Sequence, residues 1–297
     1  MTHHALTLDP PDDYRFTYVG PKGTFTPLHR DVYGSYSWSS NILGRKRWWL
    51  IPPEYTDIFR IRQGNEDMVF DIRDLGEEIW KGRVMVVEQE AGETIFVPSG
   101  WYHQVENLDF VSTSRYSTSL SCGELTGASQ CISINQNFAS SHIMPTIYRN
   151  LLQSQARVED AIDDVKIMLR DHAAKQSGTG GGVVNNNVRE WEVEWLEQVQ
   201  KLLEMDAGWG LRGFWAMVAY NLQVSTVTRN NFRSISTSLT FPCPQNPPVD
   251  ASLRPSDEYV HAKIRPVVED FRRRREYVVL KDLRRLVDGV ALVVGLG

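Results

Sequence analysis

Between residues 14 and 138, apolar and polar positions alternate in short runs, the period of strands half-buried in a sheet. Tyr14, Phe16 and Tyr18 alternate before Gly20 and Pro21, and residues 47–51 form an aromatic and aliphatic run closed by Pro52 and Pro53. Residues 83–87, 94–97, 102–106 and 131–138 continue the series, with Gly or Pro between several of them. Many short strands joined by turns predict an antiparallel sandwich or barrel of the jelly-roll type. Past Ser140 the period changes. Residues 143–167 carry apolar side chains at helical spacing, with Asp160, Asp163 and Asp164 on the polar face. Residues 191–203 and 211–222 predict two further helices, and residues 176–187, rich in Gly and Asn, a flexible linker. Residues 228–257, with five prolines, predict an irregular stretch, and residues 259–287 a basic amphipathic helix whose arginines form a solvated face. The expected class is mainly β with α. A barrel spans residues 1–142, a helical region 143–222, and a Pro-containing segment with a terminal helix 223–297.

Composition narrows this picture. A chain of 297 residues with 41% apolar content and nine tryptophans holds one large domain or two small ones with a sizeable core. The net charge is −5 and the basic residues are scattered apart from residues 272–275, which argues against a nucleic-acid surface. No apolar run approaches the ~20 residues of a membrane span, and the first residues lack the basic-then-apolar pattern of a signal peptide. Cys122, Cys131 and Cys243 are too few and too irregular for a disulfide framework or a zinc site. The expectation is a cytoplasmic protein, with the nucleus open.

The candidate chemistry begins at His29-Arg30-Asp31. Residues i and i+2 of a strand share a face, so His29 and Asp31 can hold one ion while Arg30 points away. Alone, a His-x-Asp triplet is weak. The second half is Gly92-x5-Pro98-x4-His103-x3-Asn107, a spacing that resembles the second metal motif of the cupin superfamily. Gly92 permits a tight entry to the strand, residues 97–100 form a turn, and His103 starts the return strand facing inward with Trp101 and Val105. The competing reading of His103 is a buried ring bonded to a backbone carbonyl. Two imidazoles and one carboxylate make the protein half of a facial triad that leaves one side of an Fe(II) ion open.

Residues 39–53 read as a hairpin with its turn near Gly44 and Lys46 opening the return strand. A lysine entering an apolar strand just before Trp48 and Trp49 is poorly placed for solvent. Pointed into the barrel, its ammonium would pair with a buried carboxylate.

Taken together, His29-x-Asp31, Gly44-x-Lys46-x-Trp48, the Gly92 to Asn107 frame and Ser133-x-Asn135-x-Asn137-Phe138 resemble a JmjC-type 2-oxoglutarate oxygenase. Tyr18-x-Gly20-Pro21 and Tyr36-x-Trp38-Ser39 add to the likeness, which covers about residues 12–151 and extends weakly to 222. The resemblance implies a double-stranded β-helix, with iron on His29, Asp31 and His103 and Lys46 on the distal carboxylate of 2-oxoglutarate. It implies a hydroxyl from Thr26 on the same carboxylate and places Asn135, Ser39 and Asn41 around the co-substrate. For Thr26 and Ser39 the competing reading is an ordinary strand hydroxyl; for Asn41 and Asn135, a polar plug in the barrel wall; for Lys46, a surface lysine. Molecular oxygen would be the second co-substrate. The implied activity is hydroxylation of a protein, at a lysyl residue of the translation termination release factor.

Members of that family carry a substantial segment ahead of the iron motif, where this chain has 28 residues, and the expectation is an uncovered sheet edge and apolar faces. Residues 111–130, rich in Ser, Thr and Gly, interrupt the run from Asn107 to Cys131 and read either as a loop insertion or as translated intron. Other classes remain open at this point: an inactive JmjC-like scaffold or truncated product, a histone or protein demethylase, and a cupin metalloenzyme that does not use 2-oxoglutarate. Lys46 discriminates against the last. The helices after residue 143 would pack on the barrel or form a homodimer face.

Overall fold

A computed structural model describes residues 15–61, 68–108, 130–177, 183–185, 188–222 and 255–297. They divide into two compact units, one over residues 13–139 and the other from residue 140 onward.

Among the described residues the first unit holds eight strands: β1 (Arg15–Pro21), β2 (Phe25–Arg30), β3 (Tyr36–Leu43), β4 (Lys46–Ile51), β5 (Met85–Gln89), β6 (Thr94–Val97), β7 (Tyr102–Asn107) and β8 (Gln130–Phe138). They pair as two four-stranded antiparallel sheets, in the orders β1-β8-β3-β6 and β2-β7-β4-β5. The chain crosses repeatedly from one sheet to the other, which is the jelly-roll topology that the alternation predicts. The segment at 111–130 lies outside the described residues except for Gln130, the first residue of β8.

Strand β4 shows why the sequence selects this fold. Its odd and even positions face opposite sides of the sheet, and both sides are buried. Trp49 and Ile51 pack outward with Leu28, Phe59 and Ile72, beneath the segment that carries a short helix, α1 (Glu77–Trp80). Trp48 and Leu50 pack inward with Val97, flanked by Val87, Ile95, Trp101 and Val105. The facing sheet offers a different surface: Ser37, Ser39, Asn41 and Ser133 are all buried. A buried inner face made of hydroxyls and amides fills no core, and it marks where the barrel is kept open for chemistry.

The β3–β4 turn sits where predicted. Gly44 takes a φ of +79°, and a Cβ there would lie 2.5 Å from the Cys131 sulfur, so the position requires glycine twice over. Nearby, the fully buried Gln89 bonds three ways: it accepts from Trp48 Nε1 at 2.8 Å and donates to the carbonyls of Ser39 and Glu93 at 2.9 and 3.0 Å. Gln89→Leu leaves an indole N–H and two carbonyls without their partner. We expect a loss of about 2–4 kcal/mol, read as a lower urea midpoint with an unchanged m-value.

The second unit is helical. Residues 143–167, expected as one helix, form two: α2 (Met144–Ala161) and α3 (Asp163–Ser177), broken at Ile162. Asp163 and Asp164 occupy the first turn of α3, where the N-terminal dipole favours carboxylates. Helices α4 (Glu190–Ala207) and α5 (Leu211–Asn221) match expectation, with Gly208 as a left-handed cap between them. The linker expected at 176–187 falls partly outside the described residues, but Val183–Asn185 pairs with Val188–Arg189 in a short ladder. The irregular stretch expected at 228–257 is largely outside them.

The basic helix expected at 259–287 is instead three: α6 (Asp257–Arg272), α7 (Arg275–Val279) and α8 (Lys281–Val293). Arg273 is exposed as expected, but its three neighbours are bonded within the unit. Arg272 reaches the Leu296 carbonyl at 2.7 Å, Arg274 the buried Glu276 at 2.8 Å, and Arg275 the Glu192 carboxylate. Arg275 thereby ties the last helices to α4, and the unit packs around an aromatic core of Tyr148, Phe214, Trp215 and Phe271. No helix among the described residues is long and apolar enough to cross a membrane.

Candidate metal and co-substrate site

Three side chains converge inside the barrel. Strands β2 and β7 are antiparallel neighbours, and His29 and His103 are direct cross-strand partners, so both rings project from one face. Their centroids lie 4.2 Å apart. Asp31 joins them, and the potential ligand atoms of His29, Asp31 and His103 all lie within 4.8 Å of one another.

The local backbone explains how. Thr26 pairs with Val105 and His29 with His103, three residues against two, so β2 carries a bulge at Pro27 and Leu28. Proline has no N–H to give the ladder, and the Leu28 N–H turns away to the Phe70 carbonyl at 3.1 Å. The bulge has two effects. It places Thr26 and His29 on the same inner face, although residues three apart in a regular strand face opposite ways. It also frees the Pro27 carbonyl to accept a hydrogen bond from His29 Nδ1 at 2.8 Å. A carbonyl can only accept, so Nδ1 carries the proton and Nε2 keeps its lone pair for a ligand.

Asp31 departs from the expected geometry. It lies just past β2 and leads into a 3-10 turn, Val32–Gly34, rather than within the strand. Its carboxylate is held from the opposite sheet, where Ser37 Oγ donates to Oδ2 at 2.7 Å and Asn137 Nδ2 to Oδ1 at 3.1 Å. His103 is gripped by its neighbours: the Trp48 ring stacks on it at 5.8 Å and 27°. Burial and the adjacent His29 ring pull the His103 pKa down to about 4, so it is a neutral ligand at physiological pH.

The donor set fits a divalent ion. Two imidazoles and one carboxylate can each offer a lone pair, and three such groups gathered at one spot could hold a cation between them. The match is to Fe(II), for which two histidines and one carboxylate leave coordination positions open.

Lys46 shares the cavity, of about 390 Å³, with these three residues. It is only 4% exposed, and its Nζ donates to Asn107 Oδ1 at 2.7 Å. Asn107 in turn gives its own amide to Thr24 Oγ1 at 2.9 Å. An amide oxygen does not neutralise a cation, and burial pushes the Lys46 pKa below its ordinary value. Thr26, Ser39 and Asn135 also line the cavity, with Ser39 Oγ donating to Asn135 Oδ1 at 2.8 Å. Asn41 does not line it. Its amide is used on the carbonyls of Gly44 and Gln89 at 2.7 and 3.5 Å, so it plugs the barrel wall. Sequence reasoning did not single out Ser37, or Asn107 and Asn137 as more than members of their motifs. The available signal was alternation, since Ser37 shares a strand face with Ser39, and Asn137 with Asn135.

A family model described as "JmjC domain, hydroxylase" matches residues 16–114. Over these residues the barrel is similar to a JmjC domain. The 2-oxoglutarate and iron-dependent oxygenase JMJD4 of Homo sapiens is 34% identical over 168 residues, covering 54% of this chain and 35% of that protein. Its Danio rerio counterpart is 51% identical over 108 residues, covering 33% of this chain and 25% of that protein. The Arabidopsis thaliana arginine-specific demethylase JMJ20 is 36% identical over 167 residues, covering 54% of this chain and 32% of that protein. The chain thus spans between a quarter and about a third of the length of these curated relatives. The JmjC match takes in β1 through β7, and with them His29, Asp31, Lys46 and His103.

Proposed function

We propose that this chain is an Fe(II)- and 2-oxoglutarate-dependent protein hydroxylase. The observation that carries the reading is a buried, uncompensated Lys46 in the same cavity as the convergent His29, Asp31 and His103. Charge accounts for the pairing. Fe(II) with Asp31 leaves one positive charge, Lys46 adds a second, and the dianion 2-oxoglutarate brings the cavity to neutrality. A cupin site that used metal alone would leave Lys46 buried without a counter-charge, which is costly.

When bound, iron and 2-oxoglutarate supply the oxidising chemistry, in which molecular oxygen is consumed, succinate and CO2 are released, and a substrate C–H becomes C–OH. The protein positions the groups. His29, Asp31 and His103 hold the ion, Lys46 and Thr26 bind the distal carboxylate, and Ser39 with Asn135 form the adjacent wall. Trp48, held by Gln89, stacks on the His103 ring and restricts its rotation.

The finer proposal is that the acceptor is a lysyl side chain of the translation termination release factor, as the likeness to this family suggests, which would place the enzyme in the cytoplasm. The similarity to an arginine-specific demethylase supports a second reading, in which the hydroxylated carbon is an N-methyl group lost as formaldehyde. One experiment separates these. The protein is loaded anaerobically with Fe(II) and 2-oxoglutarate, then given oxygen with release factor or with methylated peptide. We expect succinate and a stable gain of one oxygen on a lysyl residue; formaldehyde instead would favour demethylation. Folded protein that binds no 2-oxoglutarate in the presence of metal would sink the oxygenase reading and leave a binding scaffold.

A further inference from the structure

We propose that Ser37 and Asn137 are positioning residues that orient the metal-binding carboxylate of Asp31, an inference that rests on the metal centre proposed above. Asp31 is the ligand that the backbone holds least. It lies beyond the last paired residue of β2, and the turn that follows it carries Tyr33 at a positive φ of 52°. The terminal torsion of an aspartate is broad, so nothing in the strand itself fixes which oxygen faces the histidines.

The opposite sheet supplies that constraint. Ser37 on β3 and Asn137 on β8 are direct cross-strand partners, so their side chains leave the sheet side by side. Each gives one donor to a different oxygen of the same carboxylate, at 2.7 and 3.1 Å. With one donor on each oxygen the carboxylate plane cannot rotate freely, and each oxygen keeps a lone pair for the ion. The next inward pair on the same two strands behaves differently: Ser39 bonds to Asn135 rather than to a metal ligand. The contact with Asp31 therefore belongs to one level of the ladder, not to a general run of polar residues. It also joins the two sheets, because His29 and His103 stand on one and the two donors on the other.

The test is a titration of the metal-free 297-residue chain with Mn(II), following free Mn(II) by its electron paramagnetic resonance signal. Ser37→Ala and Asn137→Ala should each raise the Mn(II) Kd about 10- to 100-fold. Ser37→Thr, which keeps the hydroxyl, should restore the parental value. Asn137→Asp, similar in size but without the amide donor, should weaken binding at least as much as the alanine variant and stands in for it if that variant does not fold. In an Asp31→Ala background, removing Ser37 should change the residual Kd no further, because its partner is gone. Parental Mn(II) affinity in folded Ser37→Ala and Asn137→Ala would overturn the proposal, and so would a Ser37→Thr variant as weak as Ser37→Ala. A parent chain that binds no Mn(II) would instead remove the metal centre itself, a failure seen before any variant is compared.

Discussion

Lys46→Met is expected to raise the 2-oxoglutarate Kd about a hundredfold or more, the scale on which truncating one partner of a buried charge pair acts, while metal affinity stays at the parental level. Methionine preserves the length and packing of the side chain and removes only the ammonium. The distal carboxylate then enters a low-dielectric cavity with Thr26 and no cation. Without co-substrate the same substitution should stabilise the protein. Burial depresses the Lys46 pKa in the fold below the unfolded value near 10.5, so the charged form is disfavoured there. That deficit is complete below the folded pKa and disappears as pH rises to the unfolded one. The methionine variant should therefore melt above the metal-free parent at neutral pH, with the gap closing as the solution becomes alkaline. Binding follows the opposite course. The parental 2-oxoglutarate affinity should fall as pH rises through the depressed Lys46 pKa, and the variant's should lack that component. Calorimetric titration of both proteins at several pH values reads each effect. Equal co-substrate affinity in parent and variant would remove Lys46 from the site.

Much of this site was legible in the sequence because its parts are local. The frame from Gly92 to Asn107 specifies its own turn and return strand, and β6 appears over the residues that alternation marked, with Gly92 at a positive φ of 87°. The hairpin that buries Lys46 is equally local, since Gly44 fixes its turn. What escaped depends on partners distant in the chain. The bulge at Pro27 exists only relative to β7, so the strand pattern of residues 25–31 placed Asp31 within the ladder rather than beyond it. The donors to Asp31 come from residues 6 and 106 positions away, and no periodicity in either strand says which polar residue meets which. Asn41 shares a face with Ser37 and Ser39, yet the carbonyls of Gly44 and Gln89 occupy it, a matter of depth along the barrel that composition does not encode. The arginines at 272–275 read as solvated for the same reason, since the acceptors they meet, Leu296 and Glu192, are known only once the helices pack.

His103→Ala should abolish turnover to below about one part in a thousand, a barrier increase of ~4 kcal/mol, and it should do so through the metal rather than through the fold. The ring occupies a slot between the Trp48 indole and His29, and alanine leaves a small cavity there. The cost is partly offset because a desolvated polar ring is removed as well. The variant should thus remain folded and unfold cooperatively. The decisive measurement is the shift in melting temperature on adding divalent metal. A ligand at a hundredfold excess over its Kd stabilises the native state by about 2.7 kcal/mol. The parent should show that increment, and His103→Ala little of it, since His29 and Asp31 alone are two ligands of three. Lys46→Met should keep the full metal increment and lose only the further rise that 2-oxoglutarate adds. The two substitutions therefore divide the cavity into an ion-binding half and an anion-binding half. A His103→Ala protein with the parental metal shift and parental turnover would show that the ion, if any, is held elsewhere.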